Sequence, residues 1–155
     1  MEVSILDALG KLYSSTTIVT MNVDAKMNGI AVAWITRVSG DPPMVTISIG
    51  KTRYSHELLK KADRFGICIM KKSAKDVVEF FGTKSGREVN KFDVCDYSLS
   101  KNRMPVLADS IAFIECTIRS TTDAGDHTLF IGEVVDQKLY EDEKPMLYGE
   151  HEILQ

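Results

Sequence analysis

The sequence has few cysteines and prolines, and this shortage argues against whole classes of protein. It contains 3 cysteines and 4 prolines in 155 residues. The cysteines Cys68, Cys95 and Cys116 are odd in number and widely spaced, and no two form a C-x-x-C pair. This pattern argues against a zinc site or a disulfide framework. Cys68 and Cys116 lie in apolar, strand-like runs, so we expect them to be core residues of a protein in the reducing cytoplasm.

Long apolar runs and an excess of basic charge are also missing. The longest apolar stretches, such as residues 30–35, are too short to span a bilayer. The first residues contain no basic segment followed by an apolar one, which argues against a signal peptide. The net charge of -3 argues against nucleic acid as the main partner, although a local basic cluster can still bind one phosphate group. We therefore expect neither a membrane nor a nucleic acid among the partners.

Several catalytic and nucleotide-binding motifs are absent as well. There is no G-x-G-x-x-G after a strand, no P-loop, no H-E-x-x-H and no G-x-S-x-G. The histidines His56, His127 and His151 lack the spacing of metal ligands, so no metal site is predicted. These absences argue against a Rossmann dinucleotide site and the common hydrolase sites. A Cys–His catalytic pair stays open, although no spacing points to one.

What the chain does contain is a series of β-rich runs. We predict one domain over residues 1–155 that is mainly β with flanking helices, in the form of an antiparallel barrel. The predicted strands are residues 16–23, 30–38, 44–49, 64–70, 112–120 and 127–139, and the predicted helices are residues 2–11, 55–61 and 74–81. Turns are predicted at Asn28-Gly29, at residues 39–43 and at residues 123–126. Residues 82–100 are polar and carry no clear pattern.

Two finer predictions concern a helix start and a strand face. Ser73 is expected to cap the helix over residues 74–81. Residues 112–120 alternate between apolar and polar side chains, which indicates one buried face. The inward set is Ala112, Ile114, Cys116 and Ile118, and the outward set is Glu115, Thr117 and Arg119.

The strongest candidate site is a basic, hydroxyl-bearing segment between the third strand and a helix. It comprises Lys51, Thr52, Arg53, Tyr54 and Ser55. Free backbone N–H groups and the helix dipole favour an anion at such a position, and an arginine can bind a phosphate through two hydrogen bonds. The alternative is a solvated turn in which Thr52 or Ser55 only caps the helix.

Two weaker candidates lie elsewhere in the chain. Trp34 is the single tryptophan and falls in a predicted strand, where it is usually a core residue. Contact with a flat ring is the alternative. His127 follows the turn Gly125-Asp126, and it is either an exposed turn residue or a group close to an anionic or redox-active cofactor.

Taken together, these segments resemble the flavin reductase-like family of FMN-binding split barrels. They are most similar to its branch of flavoredoxins and archaeal ferric reductases. The resemblance covers residues 14–138. The matching segments are, in order, Asn28-Gly29, Ala33-Trp34, residues 41–43, residues 48–58, Phe65, Gly86-Arg87, Lys91-Phe92 and residues 126–134.

The resemblance implies a split β-barrel homodimer with FMN close to the subunit interface. It implies phosphate contacts from the segment of Lys51, Thr52, Arg53 and Ser55. Contacts to the flavin ring and ribityl chain would come from Ala33, Trp34, Ile35, Thr36, Ser48, Ile49 and Gly50. Asn28 would lie at the mouth of the site, and Lys91 would reach the flavin or its phosphate. His127 matches the family histidine near the flavin and nicotinamide, and it is the one expected catalytic residue.

The function that the resemblance implies is NAD(P)H-dependent flavin or ferric reduction through bound FMN. Where related two-component reductases carry small hydroxyl residues, this chain has Ala33-Trp34. A large indole there favours FMN as a tightly held group over FMN as an exchanging substrate. The alternatives are a flavoredoxin-like carrier reduced by protein partners, a non-enzymatic FMN-binding protein, and a split barrel that has lost its flavin. The acceptor is expected to be a small molecule or a protein.

Overall fold

The computed structural model describes residues 7–154, which are mainly β. The strands are β1 (Ser14–Ser15), β2 (Thr17–Val23), β3 (Lys26–Val32), β4 (Ile35–Gly40), β5 (Pro43–Gly50), β6 (Arg64–Met70), β7 (Tyr97–Leu99), β8 (Pro105–Leu107), β9 (Ser110–Ala124), β10 (His127–Leu139), β11 (Leu147–Gly149) and β12 (Glu152–Leu154). The helices are α1 (Tyr54–Lys61) and α2 (Lys75–Thr83). Single 3₁₀ turns lie at Leu9–Lys11 and Lys91–Asp93.

The main sheet is antiparallel and has seven strands in the order β3-β2-β6-β9-β10-β5-β4. Its two edge strands, β3 and β4, follow one another in the chain and are joined only by Ala33 and Trp34. Three residue steps, from Val32 to Ile35, span at most about 11 Å. The sheet must therefore curl until its edges come close together. No ladder joins β3 to β4 within residues 7–154, so the barrel is split along this seam.

Both faces of the sheet are covered by apolar side chains. One core cluster contains Val19, Ile47, Phe65 and Phe130 together with leucines of α1. The other lies on the opposite face, packs against α2, and includes the following side chains: Ile18, Cys68, Met70, Val78, Phe81, Phe92, Met104 and Met146. The burial of Cys68 and Cys116 confirms the prediction that they are core residues.

The predicted turn at Asn28-Gly29 is wrong, because both residues lie inside β3. The chain reverses instead at Asp24 and Ala25, whose φ angles are 52° and 63°. Gly29 is required for packing and not for a turn. A Cβ atom added to it would lie 2.9 Å from the ring of Phe81. The predicted strand over residues 30–38 is correspondingly broken in two, where the chain crosses the seam.

The predictions of α1 and α2 are confirmed in position and wrong in one detail. α1 begins one residue before its predicted start, and α2 ends two residues beyond its predicted end. Ser73 is not the cap of α2; the capping position is Ala74, without a side-chain hydrogen bond. A turn in which Ala74 N donates to Lys71 O brings the chain into the helix. Of the predicted helix over residues 2–11, residues 2–6 lie outside the described residues, and the rest contains only the short turn Leu9–Lys11.

The prediction for the outward face of β9 is wrong at Glu115, which is fully buried. Its carboxylate accepts hydrogen bonds from Arg64 Nη1 (2.8 Å), Ser100 Oγ (2.9 Å) and Asn102 Nδ2 (2.6 Å). Two of these donors lie between β7 and β8, in a hairpin that covers this face of the sheet. The remaining strand predictions agree with β2, β5, β6 and β10 to within about one residue.

No helix within residues 7–154 is long and apolar enough to cross a membrane.

Candidate functional site

Two adjoining cavities open beside β3, one next to the link at Ala33 and Trp34 and the other next to the start of α1. The larger has a volume of about 470 Å³ and the smaller about 230 Å³. Ile30 of β3 and Arg53, the capping residue of α1, line both, so the cavities meet between β3 and the start of α1. A single extended ligand could therefore occupy the two together.

The larger cavity is bordered by the seam crossing. Trp34 is 61 % exposed, so its interpretation as a core residue is wrong. Its ring lies 4.8 Å from that of His127, measured between centroids, with the two planes tilted by 42°. The carbonyl of Trp34 accepts a hydrogen bond from Ser48 N (3.0 Å), which fixes the crossing against β5. The indole and imidazole thus form one aromatic rim of the cavity.

His127 is the first residue of β10, directly after the turn at Gly125. Its Nδ1 lies 2.6 Å from Asp126 Oδ1, and this hydrogen bond holds the pKa of Asp126 below its usual value. The other ring nitrogen, Nε2, lies on the side of Gly50, which also lines the cavity. The carboxylate therefore orients the imidazole and leaves Nε2 for a ligand.

The smaller cavity lies at the start of α1 and carries positive charge. Four cationic side chains line it: Arg53, Lys84, Arg87 and Lys91. The hydroxyl-bearing residues Thr52 and Ser55 and the amide of Asn28 line it as well. This donor set and the free N–H groups of a first helical turn suit an anion, despite the net charge of -3.

The helix-capping interpretation of Thr52 and Ser55 is wrong. The capping residue of α1 is Arg53, and no side-chain hydrogen bond caps the helix. The Ser55 hydroxyl instead accepts a hydrogen bond of 2.9 Å from Asn28 Nδ2. This contact joins the first turn of α1 to the edge strand β3 and leaves the Ser55 O–H free to donate.

Lys91 is the buried cation of the smaller cavity, with 3 % of its surface exposed. Its Nζ donates to the backbone oxygens of Gly29 (2.7 Å) and Phe81 (3.0 Å). An ammonium group has three donors, so one remains for a ligand. Burial, and to a lesser extent the nearby charge of Arg53, lower the pKa of Lys91 to about 8.

The structure brings most of the predicted site residues together around these cavities. Those on the larger cavity are Ala33, Trp34, Ser48, Ile49, Gly50, Arg53 and His127. Those on the smaller are Asn28, Thr52, Arg53, Ser55 and Lys91. Ile35, Thr36 and Lys51 line neither. Ile35 packs against the core, and the Nζ of Lys51 lies 3.4 Å from Asp123.

Sequence reasoning missed the lining residues that come from other parts of the chain. Lys84 and Arg87 line the smaller cavity, and Tyr148 and Ile153 line the larger. The basic residues Lys84, Arg87 and Lys91 recur every three or four positions, which was a usable signal of a local anion site. No local pattern marks Tyr148 or Ile153, because the C-terminal hairpin reaches the cavity only through tertiary packing.

Comparison with known proteins gives a consistent result. Residues 9–154 match the family model described as flavin reductase like domain. The chain is 34 % identical over 144 residues to a high molecular weight rubredoxin of Moorella thermoacetica, which covers 92 % of this chain and 63 % of that protein. It is 31 % identical over 146 residues to FMN reductase (NADH) SmoA of Agrobacterium fabrum, covering 94 % and 81 %.

Among solved structures, the NADH:FAD oxidoreductase SgcE6 of Streptomyces globisporus has the same fold. The TM-score is 0.87 at 26 % sequence identity, and the superposition covers 94 % of this chain and 87 % of that one. The Moorella relative is longer than this chain, which spans less than two thirds of it.

Proposed function

The chain belongs to the flavin reductase-like domain family, and from this premise we propose that it is an FMN-binding oxidoreductase that takes electrons from NADH or NADPH. One observation carries the proposal: a cation-lined cavity at the start of α1 adjoins a larger cavity with an aromatic rim. FMN has the matching shape, since a dianionic phosphate at one end is joined to a flat ring system at the other.

The phosphate end is supported by the donors of the smaller cavity. Arg53, Thr52 and Ser55 would bind the phosphate oxygens together with N–H groups of the first turn of α1. Lys91 would donate its remaining N–H to a phosphate oxygen. A buried amine with an unused donor at a cavity is stabilised more by an anion than by water alone, because a buried charge without a counter-charge is costly.

The ring end is supported by the larger cavity. Ala33, Trp34 and the backbone of Ser48, Ile49 and Gly50 would hold the ring. Bound FMN would supply the redox chemistry by accepting electrons from a nicotinamide and passing them to an acceptor. His127 would orient the donor through Nε2, since Asp126 fixes the opposite side of its imidazole.

A second candidate is a flavoredoxin-like electron carrier that protein partners reduce. Two observations favour it. The chain is similar to a protein named as a high molecular weight rubredoxin. The Trp34 indole also stands at the rim of the larger cavity, where it would retain FMN and restrict the approach of a nicotinamide.

One experiment tests both candidates. The purified protein is reconstituted with FMN and titrated anaerobically with NADH and NADPH while absorbance is recorded at the flavin bands. Bleaching by a nicotinamide supports the reductase. Bleaching by dithionite or reduced ferredoxin, but not by nicotinamides, selects the carrier. Failure to bind FMN would contradict both.

A homodimer, a cytoplasmic location and a single domain over residues 1–155 belong to the same proposal. The acceptor would be a flavin, a ferric complex or a protein. The dimer is supported by exposed apolar side chains near the chain ends, namely Leu9, Leu12, Tyr13 and Leu147. Free cysteines throughout the described residues agree with a reducing compartment. Light scattering of the FMN-loaded protein would give the mass of the assembly.

A further inference from the structure

The smaller cavity is covered by a segment of which the proposed function uses only Lys91. Residues 84–91, called here the roof segment, run from the end of α2 to Lys91. The segment is folded on itself, since Glu88 N and Val89 N both donate to Ser85 O at 3.1 Å. Lys91 anchors its far end through the two backbone oxygens described above.

Gly86 brings the roof segment into contact with both sides of the cavity. A Cβ atom added to Gly86 would lie 2.5 Å from Asn28 Oδ1 and 2.8 Å from Tyr54 Cδ2. Asn28 belongs to β3 and Tyr54 to α1. The backbone at Gly86 therefore bridges the two elements between which the proposed phosphate site lies.

Arg87 fastens this bridge to α1. Its Nη2 pairs with the carboxylate of Glu57, and its Nη1 donates to Thr52 O at 3.3 Å. The guanidinium also lies 5.4 Å from the centre of the Tyr54 ring, within the range of a cation–π contact. The side chains of Arg87 and Glu57 are 45 % and 56 % exposed, so the ion pair is weak enough to open.

We propose that Gly86 and Arg87, held by Glu57, close the smaller cavity behind a terminal phosphate, so that the chain selects FMN over FAD. The inference rests on the proposed function and adds to it the residues that exclude FAD. FMN ends at its phosphate, whereas FAD continues through a second phosphate to an adenosine. With its ring in the larger cavity, FAD must pass its adenosine out beside the roof segment, and this separates Arg87 from Glu57.

Charge alone does not explain such a choice. Four cations around the smaller cavity would favour the two phosphates of FAD at least as much as the one of FMN. Selection for FMN must therefore come from steric exclusion of the adenosine of FAD by the roof segment. The Glu57–Arg87 ion pair sets how much free energy is needed to move that segment aside.

The test measures dissociation constants of riboflavin, FMN and FAD for the apoprotein by quenching of flavin fluorescence. Glu57→Gln removes the ion pair and keeps the arginine charge. Arg87→Ala removes the pair and the contact with Tyr54. The matched control is Glu133→Gln, which breaks the exposed ion pair between Arg119 and Glu133 (2.7 Å) on the sheet, away from both cavities.

In the unmodified protein, FMN is expected to bind more tightly than FAD, and riboflavin more weakly than FMN. Glu57→Gln should tighten FAD binding about twofold to fivefold, the worth of an exposed ion pair, while the FMN constant stays nearly unchanged. Arg87→Ala should lower the ratio of the FAD constant to the FMN constant at least as much, and Glu133→Gln should leave it unchanged.

Three results would overturn the inference. If FMN binds but the ratio is the same in all variants, or FAD binds as tightly as FMN to the unmodified protein, the roof segment does not select the flavin and the proposed function survives. If the unmodified protein binds none of the three flavins, the proposed function fails and the inference fails with it.

Discussion

Lys91 holds a positive charge where water can barely reach it. The residue is 3 % exposed, its amine donates hydrogen bonds to two carbonyl oxygens, and burial lowers its pKa to about 8. A phosphate dianion next to the amine would favour the charged form and raise that pKa again. Binding of the proposed phosphate and protonation of Lys91 are therefore linked.

This linkage predicts that FMN affinity falls as the pH rises above 8. Below pH 8 the amine of the free protein is already protonated, so pH has little effect. Above pH 8 it must take up a proton to face the phosphate, and the dissociation constant of FMN should rise up to about tenfold per pH unit. Fluorescence titrations between pH 7 and 10 measure this. Riboflavin, which has no phosphate, and the variant Lys91→Met should both lack the dependence, and an equal slope in either would refute it.

The second prediction at this scale concerns Arg53 and its hydroxyl-bearing neighbours Thr52 and Ser55. The triple variant Arg53→Glu, Thr52→Val, Ser55→Ala should weaken FMN binding by about 100-fold or more, since several charge-assisted hydrogen bonds are lost. The control is Lys51→Glu, a charge reversal next in the chain on a residue that lines neither cavity. Equal FMN constants in the unmodified and triple-variant proteins would remove the basis of the phosphate site.

At the scale of elements, the hairpin of β7 and β8 depends on one buried carboxylate. Glu115 receives hydrogen bonds from Ser100 and Asn102 in this hairpin and from Arg64 in β6. Thr20 and Cys68 add contacts to the carbonyl of Pro105. The carboxylate thus joins the hairpin to the central strands of the sheet.

We expect Glu115→Ala to lower the free energy of unfolding by about 2–3 kcal/mol, because it leaves buried donors without an acceptor. Glu133→Ala, which breaks an exposed pair, should cost about 1 kcal/mol or less. Urea denaturation followed by circular dichroism measures both. Similar losses in the two variants would show that the buried carboxylate has no special role.

The elements that the sequence predicted well are those whose pattern is local. The alternation of β10 and the apolar run of β6 are complete within a few residues, and their bounds could be read directly. Asn28-Gly29 was misread as a turn because the glycine is needed for close packing against Phe81, about 50 positions away in the chain. Glu115 was misread because the hairpin that covers it lies outside the alternating segment.

At the scale of the whole molecule, the parts of the site that are local in sequence could be predicted, and the parts that depend on tertiary packing could not. The phosphate end was predictable because Thr52, Arg53 and Ser55 are almost consecutive and lie at a helix start. The roof at Arg87 and the wall at Tyr148 come from other elements, so only the fold brings them to the cavities. The break at Ala33 and Trp34 was hidden for the same reason, since a seam exists only once the sheet has curled.

A ligand that spans two cavities should also stabilise the entire fold. At a free FMN concentration 100 times its dissociation constant, the free energy of unfolding should rise by about 2.7 kcal/mol. For a chain of this size that corresponds to a midpoint of thermal unfolding about 5–10 °C higher. Melting curves with and without FMN measure the shift. The Arg53→Glu triple variant should show much less of it at the same FMN concentration, and an equal shift there would contradict specific binding.

The two-residue link at Ala33 and Trp34 makes the seam asymmetric. Its borders are tethered at Val32 and Ile35, and they have no such tether at Lys26 and Gly40. The separation between the two edge strands is therefore restricted most beside Ala33 and Trp34, and the link restricts it less with increasing distance along each strand. The proposed ring site lies beside this link, whereas the proposed phosphate site lies at the start of α1, so the two ends of one ligand would be held by parts of the chain that are constrained differently.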